Sequence, residues 1–389
     1  MSRFLAFFGI AFTLLGGIHF YFWLRLVKHT QLPGPYRAWA TAALVALALS
    51  LPLALLLGRQ LPFAARGWVA WPAFIWMGLM FLLFVFLTGS ELVRLFWLTG
   101  QAIKGHPLDP ARRTLLARVL GVLAGGTAGL TGAFAIAQAV SSLHVKTVRV
   151  GLKRWPAALD GLRILQLTDV HFGTTIGRAF CERMVAMTNG ENPDVIVITG
   201  DLVDGSVSDL RAAAAPLARL KARFGVFFVT GNHEYYSGVD EWMTELARLG
   251  VRVLRNEHVV LGDGDSRFVL AGIDDASAHR FGNGHGADLP KALAGRPASA
   301  PLVLLAHQPK AVREAEQLGV DLQISGHTHA GQIWPFSYLV RLDQPFVSGL
   351  NRTGDTQIYV SQGTGYWGPP LRLGTQAEIT RIEVTSADT

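Results

Sequence analysis

The sequence predicts a chain of two unlike parts: an N-terminal four-helix transmembrane bundle at residues 1–140 and an α/β domain at residues 161–389, with a linker and edge strand at 141–160 between them. Three observations predict it. Four apolar runs of near membrane-spanning length fall within the first 140 residues. Charge divides at the same place: residues 1–140 hold 11 Lys+Arg against 2 Asp+Glu, whereas residues 141–389 hold 24 against 26. From Leu162 onward, short β-branched runs alternate with helix-forming stretches, the pattern of βα units built on a largely parallel sheet.

In order along the chain, Phe4–Leu24 contains 21 residues without Asp, Glu, Lys or Arg, longer than the apolar core of a signal peptide. Ala38–Leu57, Trp68–Ser90 and Val119–Val140 follow, with Trp23, Trp39, Trp68, Trp71 and Trp97 near segment ends as an interfacial belt requires. His19 reads as a tolerated polar group inside the first span, and Glu91 and Arg94, one turn apart, read as a pair. Gly121, Gly125, Gly126, Gly129 and Gly132 give small-xxx-small spacings that suit close helix packing. Four spans put the N-terminus and the α/β domain on one side of a cell membrane, and the excess of positive charge after the first span over that before it places the domain outside the cytoplasm. The basic balance belongs to the membrane part, so no nucleic-acid partner is expected, and no obligate protein partner is evident. Cys181, the single cysteine, excludes an intramolecular disulfide and reads as a small buried residue.

In the second part, alternation at Val148, Val150 and Leu152 predicts the edge strand. Strands are expected at Arg163–Leu167, Val195–Thr199, Val226–Thr230, Phe268–Ile273, Leu302–Leu305, Leu322–Ser325 and Gln357–Ser361. Helices are expected at Arg178–Asn189, Leu210–Arg223 and Asp240–Leu249. The unbroken Val195-Ile-Val-Ile run reads as a strand buried on both faces, with Gly200 turning the chain so that Asp201 stands at its carboxyl end. Asp169 and His171, Asn232 and His233, His307, and His327 and His329 each follow an apolar run in the same way. Carboxylate, amide and imidazole donors at five strand ends describe a site for Mn, Fe, Zn or Co rather than the all-oxygen shell of Ca.

The blocks Leu167-Thr-Asp169-Val-His171-Phe-Gly173, Gly200-Asp201-Leu-Val-Asp204, Gly231-Asn232-His233-Glu234, His307 and Gly326-His327-Thr-His329-Ala-Gly331-Gln332 resemble the five signature blocks of the calcineurin-like metallophosphoesterases. The lead-in from Leu159 and the closing Gly363–Arg372 stretch resemble the bacterial membrane-attached branch, which is similar to the lipid A pathway pyrophosphatases and to transmembrane proteins with a metallophosphoesterase domain. No Arg follows Asp204, unlike in the protein Ser/Thr phosphatases, and this argues against a phosphoprotein substrate. The resemblance implies two packed mixed β-sheets flanked by helices and two divalent metal ions, with Mn or Zn favoured. It implies one metal held by Asp169, His171, Asp201 and His329, and a second held by Asp201, Asn232, His307 and His327. A bridging carboxylate would set the ions about 3.5–4 Å apart, where a shared water ionises near neutral pH and attacks phosphorus in line. His233 would then act as proton donor or electrostatic stabiliser with Asp204 orienting it, unless Asp204 caps the following helix.

For substrate binding, Arg372 is the expected phosphate clamp, and His279 and Arg280 lie in a polar stretch, Asp274–Pro297, that is either a cover over the site or an exposed loop. Trp334, Phe336, Tyr338 and Trp367 would flank the mouth, with buried packing as the default reading of their rings and contact with acyl chains as the alternative. The expected function is membrane-anchored hydrolysis of a phosphodiester, pyrophosphate or phosphomonoester in a lipid-linked compound at the bilayer surface. Two alternatives are a metal-idle scaffold, and a membrane sensor or transporter with an accessory hydrolase.

Overall fold

The computed structural model describes all residues except Met1, 106–108, Asn283 and 388–389, and describes side chains from Gly9 onward apart from Arg59. The chain divides into two compact units, Met1–Ile136 and Ala137–Thr389. The first contains α1 (Ser2–Phe22), continued by a π-helical stretch Trp23–Lys28, then α2 (Gly34–Gln60), α3 (Phe63–Ile103) and most of α4 (Pro110–Ser141). All four helices are long and apolar enough to cross a membrane. α2 leaves Val45, Leu49, Leu53, Leu55 and Leu56 exposed along its length, a surface that is stable only against hydrocarbon. α3 runs well past the expected Ser90 end, carrying Glu91 and Arg94 on a continuous helix.

His19 has both ring nitrogens satisfied. Trp76 Nε1–H donates to Nε2 at 3.2 Å, which leaves Nδ1–H to donate to the Leu15 carbonyl at 2.8 Å. Glu91 pairs with Arg94 at 3.0 Å, and also with the buried Arg25. The packing stripe of α4 differs from the expected one. Ala117, Leu120, Ala124, Ala128, Gly132, Ala135 and Ala139 are its buried residues, whereas Gly125, Gly126 and Gly129 face open space. Of the five glycines, Gly121 and Gly132 meet neighbours, namely Leu26 and Leu79. Alanine at this spacing permits the same close approach as glycine with less loss of helix propensity.

The second unit is built on two six-stranded sheets. β1 (His144–Leu152), β2 (Leu162–Leu167), β3 (Val195–Thr199), β4 (Val226–Val229), β5 (Arg252–Val253) and β12 (Glu378–Ser386) form one, in the order β1-β12-β2-β3-β4-β5. The other is β10 (Gly349–Thr353), β11 (Thr356–Val360), β9 (Leu322–Ser325), β8 (Leu302–Leu305), β7 (Ser266–Gly272) and β6 (Glu257–Asp263), in that order. Their inner faces share one core, in which Ile164, Val195 and Val197 meet Leu270, Val303 and Ile324. β3 is buried at every position and paired in parallel on both sides, as its β-branched run requires. β1 is an edge strand, paired with β12, and supplies nine of the twenty residues of the expected linker and edge strand. Only Ser142 and Leu143 separate it from α4.

Helices cover the outer faces: α5 (Arg178–Gly190), α6 (Val207–Ala214), α7 (Asn232–Ser237), α8 (Val239–Arg248), α9 (Leu289–Leu293), α10 (Val312–Gln317) and α11 (Ser337–Val340). The expected helix Leu210–Arg223 is shorter and shifted. Ser206 caps it, its Oγ accepting the Asp209 N–H at 3.3 Å, and Pro216 converts the end into a 3-10 turn at Ala215–Arg219. Cys181 on α5 is fully buried, and burial pushes its thiol up to about 12. Folded protein at pH 8 should therefore resist thiol reagents and label only on unfolding. Stoichiometric labelling of the native chain would contradict this.

Candidate metal centre

The carboxyl ends of β2, β3 and β4 in one sheet and of β8 and β9 in the other deliver the chemistry-bearing residues. Asp169 and His171 follow β2, Asp201 and Asp204 follow β3, and Asn232 and His233 follow β4. His307 follows β8, and His327 and His329 follow β9. The local backbone is bent to aim them. Asp169, His171, Asp201, His327 and His329 have φ of 52°, 55°, 50°, 72° and 47°. Non-glycine residues avoid this left-handed region, at a cost of roughly 1–3 kcal/mol each. Gly200, at φ 85°, is required for a further reason. A Cβ there would lie 2.5 Å from Gly231 N and 2.7 Å from His307 Nδ1.

Two clusters result, Asp169–His171–His329 and Asp201–His307–His327, and a third grouping, His171–Asp201–His233, overlaps both. In the first, His171 Nε2 and His329 Nε2 lie 3.1 Å apart, with Asp169 Oδ1 3.4 Å from the latter. In the second, His307 Nε2 is 3.1 Å from Asp201 Oδ2 and 3.2 Å from His327 Nδ1. The same Asp201 Oδ2 is 4.0 Å from His171 Nε2, so one oxygen faces both clusters. His171 Nδ1–H donates to Asp204 Oδ1 at 3.1 Å and His307 Nδ1–H donates to the Thr199 carbonyl at 2.7 Å. These acceptors fix the tautomers that turn both Nε2 lone pairs inward.

The donor set fits divalent cations. Converging imidazole lone pairs and two buried carboxylates oppose one another unless positive charge sits among them. Asn232 Oδ1 is buried with no hydrogen-bond partner, an acceptor left open at the expected ligand position. Burial, reinforced by neighbouring His307, draws His327 down to about 4, and burial beside His171 and Arg372 holds His329 well below its ordinary value. Both are thus neutral at pH 7, the state that metal ligation requires. Burial alone would raise Asp201, but His307 and His233 beside it hold its carboxyl well below the usual range.

Asp204 does not cap a helix; Ser206 does. Its Oδ1 accepts from His233 Nδ1 at 2.6 Å as well as from His171, joining two rings through one oxygen. The His233 backbone N–H donates to Asp201 Oδ1 at 2.8 Å. Against the effect of burial, Asp201 and Asp204 lift His233 to about 9, and no hydrogen bond among the described residues engages its Nε2. The Trp367 ring, half exposed, stands edge-on to His233 with centroids 5.7 Å apart.

Arg372 does not clamp a phosphate at the mouth. It is fully buried, donating from Nε to the Gly365 carbonyl at 3.1 Å and from Nη2 to the Gln362 carbonyl at 2.8 Å, with Nη2 3.5 Å from His329 Nδ1. The backbone of Gly363–Gly365 folds around the guanidinium, which braces the His329 loop from beneath. His279 and Arg280 are exposed on a 3-10 turn, Ala278–Phe281. That segment is pinned through buried Asp274, bound by Arg255 at 2.8 and 2.9 Å, and Phe281 packs on Tyr235 and Tyr236 beside His233. Asn283, inside the expected cover, lies outside the described residues. Trp334, Phe336 and Tyr338 are exposed instead of packed, together with Leu339 and Leu342.

Glu234 had no role assigned from sequence. Fully buried, its carboxylate accepts the N–H groups of Asp201 at 3.0 Å, Leu202 at 2.7 Å and Gly231 at 2.6 Å, tying the β3 and β4 loops together. A glutamate three residues after the glycine that precedes α7 as its N-cap is a capping-box spacing, the signal that could have found it.

The calcineurin-like phosphoesterase family matches residues 162–331. A zebrafish (Danio rerio) transmembrane protein with metallophosphoesterase domain is 37% identical over 96% of this chain and 87% of its own. An uncharacterized metallophosphoesterase of Helicobacter pylori is 43% identical over 61% of this chain and 64% of its own. Among solved structures, a 5′-nucleotidase precursor from Thermus thermophilus is similar at 15% identity and a TM-score of 0.36, over 58% of this chain and 54% of that one. With four helices of membrane-spanning length ahead of its βα domain, this chain belongs to the calcineurin-like phosphoesterase family and is a metal-dependent phosphoesterase.

Proposed function

We propose that the chain hydrolyses a phosphodiester, pyrophosphate or phosphomonoester bond in a lipid-linked substrate, with the reacting phosphate drawn from the bilayer surface. Asp169, His171, Asp201 and His329 would hold one ion, and Asp201, Asn232, His307 and His327 the other, Mn or Zn being favoured. Bound there, the ions would supply Lewis acidity and a water acidified to near neutral pH. The chain's own groups do the rest. Asp204 fixes the His171 ring, Asp201 carries negative charge between the two clusters, and His233 is held by Asp204 with Nε2 available to a leaving-group oxygen. His279, Arg280 and Trp367 would contact parts of the substrate away from phosphorus.

One observation carries the lipid reading: Trp334, Leu339, Leu342 and Trp367 are between half and 84% exposed in a domain that begins two residues after a membrane-length helix. An apolar collar of this kind suits acyl chains and is poorly suited to water. Full-length protein stripped with a chelator should lose hydrolysis and regain it with Mn or Zn. Trp334→Ser with Leu342→Ser should lower the rate on a bilayer-embedded phospholipid or lipid pyrophosphate about tenfold while sparing a small soluble diester. Efficient turnover of soluble nucleotide diesters with none on any lipid would refute this substrate class. The sidedness proposed from charge is that the domain lies outside the cytoplasm. Protease added to intact spheroplasts should release it, and full protection would reverse the assignment.

A further inference from the structure

The membrane-spanning unit contains a feature that hydrolysis does not use. Where α1 ends, α3 ends and α4 begins, a cavity of about 270 Å³ opens, lined by Arg25, Lys28, His29, Arg94, Trp97 and Arg113 among others. Four of those six side chains are permanently cationic, and the lining contains no carboxylate. The nearest acid, Glu91, stands behind it and is shared between Arg25 and Arg94, so one negative charge faces two guanidiniums. Arg25 is itself buried, with Nη1 directed to His29 Nδ1 at 3.2 Å. Lys28 and Arg113 have no ion-pair partner among the described residues, and both are exposed at the cavity.

Basic residues at a helix end can orient a membrane protein wherever their side chains point. Convergence of four of them around one cavity, one buried at its wall, is an additional feature. Holding like charges together is unfavourable until an anion enters. Planar guanidiniums beside an ammonium suit the oxygens of a phosphate. The volume is below the usual range for whole small-molecule pockets, so it admits a headgroup and leaves hydrocarbon outside. Trp97 on the wall is the residue type that settles at headgroup depth.

We propose that this cavity binds a phosphate group, that of an anionic phospholipid headgroup held at the end of the bundle. The site is separate from the metal centre and independent of what that centre hydrolyses. The test uses full-length protein and the double variant Lys28→Ala with Arg113→Ala, whose two side chains are exposed and unpaired, so the helix packing is preserved. Retained lipid is counted by native mass spectrometry after washing in phosphatidylglycerol or phosphatidylcholine, whose choline offsets the phosphate charge. The wild type should retain phosphatidylglycerol preferentially, and the variant should lose roughly thirty-fold in affinity, at about five- to sixfold per cationic side chain. Lys28→Arg with Arg113→Lys should keep most of the binding. If inorganic phosphate raises the unfolding temperature of the wild type but not of the variant, and no lipid is retained, the site stands and its ligand is free phosphate. No preference for phosphatidylglycerol and no response to phosphate, or equal retention by the alanine variant, overturns the proposal. Equal helix content and equal unfolding temperature of the two proteins without added phosphate or anionic lipid show that the bundle is folded in each.

Discussion

Asp201→Asn is expected to abolish turnover and strip metal while leaving the fold intact. The substitution preserves shape, and the amide oxygen can still accept the His233 N–H that now reaches Oδ1 at 2.8 Å. Its NH2 group is then forced to the Oδ2 position, 3.1 Å from His307 Nε2 and 4.0 Å from His171 Nε2. A hydrogen-bond donor would thus stand where both clusters would present lone pairs to a metal. In the metal-free protein, against the effect of burial, the Asp201 carboxylate lifts His307 well above its ordinary value, and the variant loses that pair as well. Losing only a partner behind a ligand already costs about 10–100-fold in metal affinity or activity, so losing the shared oxygen should cost at least the upper end of that range. Metal analysis together with a soluble diester assay measures both effects. A variant that keeps two ions and near-normal turnover would remove Asp201 from its bridging role.

Most of what positions this site was legible before the structure, for a physical reason. Strands buried on both faces must be uniformly apolar, so each polar residue ending such a run stands out, as Asp201 does after Val195–Thr199. Other strands were less visible. β12 alternates Ile382 and Val384 with Arg381 and Glu383, but it follows the last motif and no site residue after it marks it out. The β6–β7 and β10–β11 hairpins turn on two-residue Gly-Asp loops, Gly264-Asp265 and Gly354-Asp355, a recognised hairpin signal outside the apolar runs. Helix propensity misled at Ala212–Ala215, where Pro216 ends the α-helix whatever the alanines favour.

Side-chain direction was the part that spacing could not give. Arg372 follows a glycine-rich stretch, which suits a clamp on a substrate phosphate. The same glycine-rich backbone lets its carbonyls close around the guanidinium and take it out of solvent. The default packing of Trp334 and Phe336 failed in the other direction. They belong to no strand of either sheet, and the rings remain outside. Both errors concern where a side chain points after the chain leaves regular structure, which neither periodicity nor composition encodes.

Asp204→Ala should produce the second large loss, and the form of that loss separates two roles. One oxygen, Asp204 Oδ1, accepts from His171 Nδ1 at 3.1 Å and from His233 Nδ1 at 2.6 Å. Through His171 it fixes a ring whose Nε2 faces the first cluster, so alanine should weaken metal binding there by about 10–100-fold. Through His233 it holds the group placed to protonate or stabilise the leaving oxygen, and losing that function should lower kcat by about a hundredfold. The two effects differ in their response to metal. A titration with Mn or Zn should restore occupancy in the alanine variant but leave kcat depressed, with KM little changed. Asp204→Asn keeps an oxygen acceptor for both rings and removes only charge, so its metal affinity should stay near wild type while kcat falls by less than in the alanine variant. If saturating metal returned Asp204→Ala to full rate, the residue would serve His171 alone, and the part assigned to His233 would have to be withdrawn.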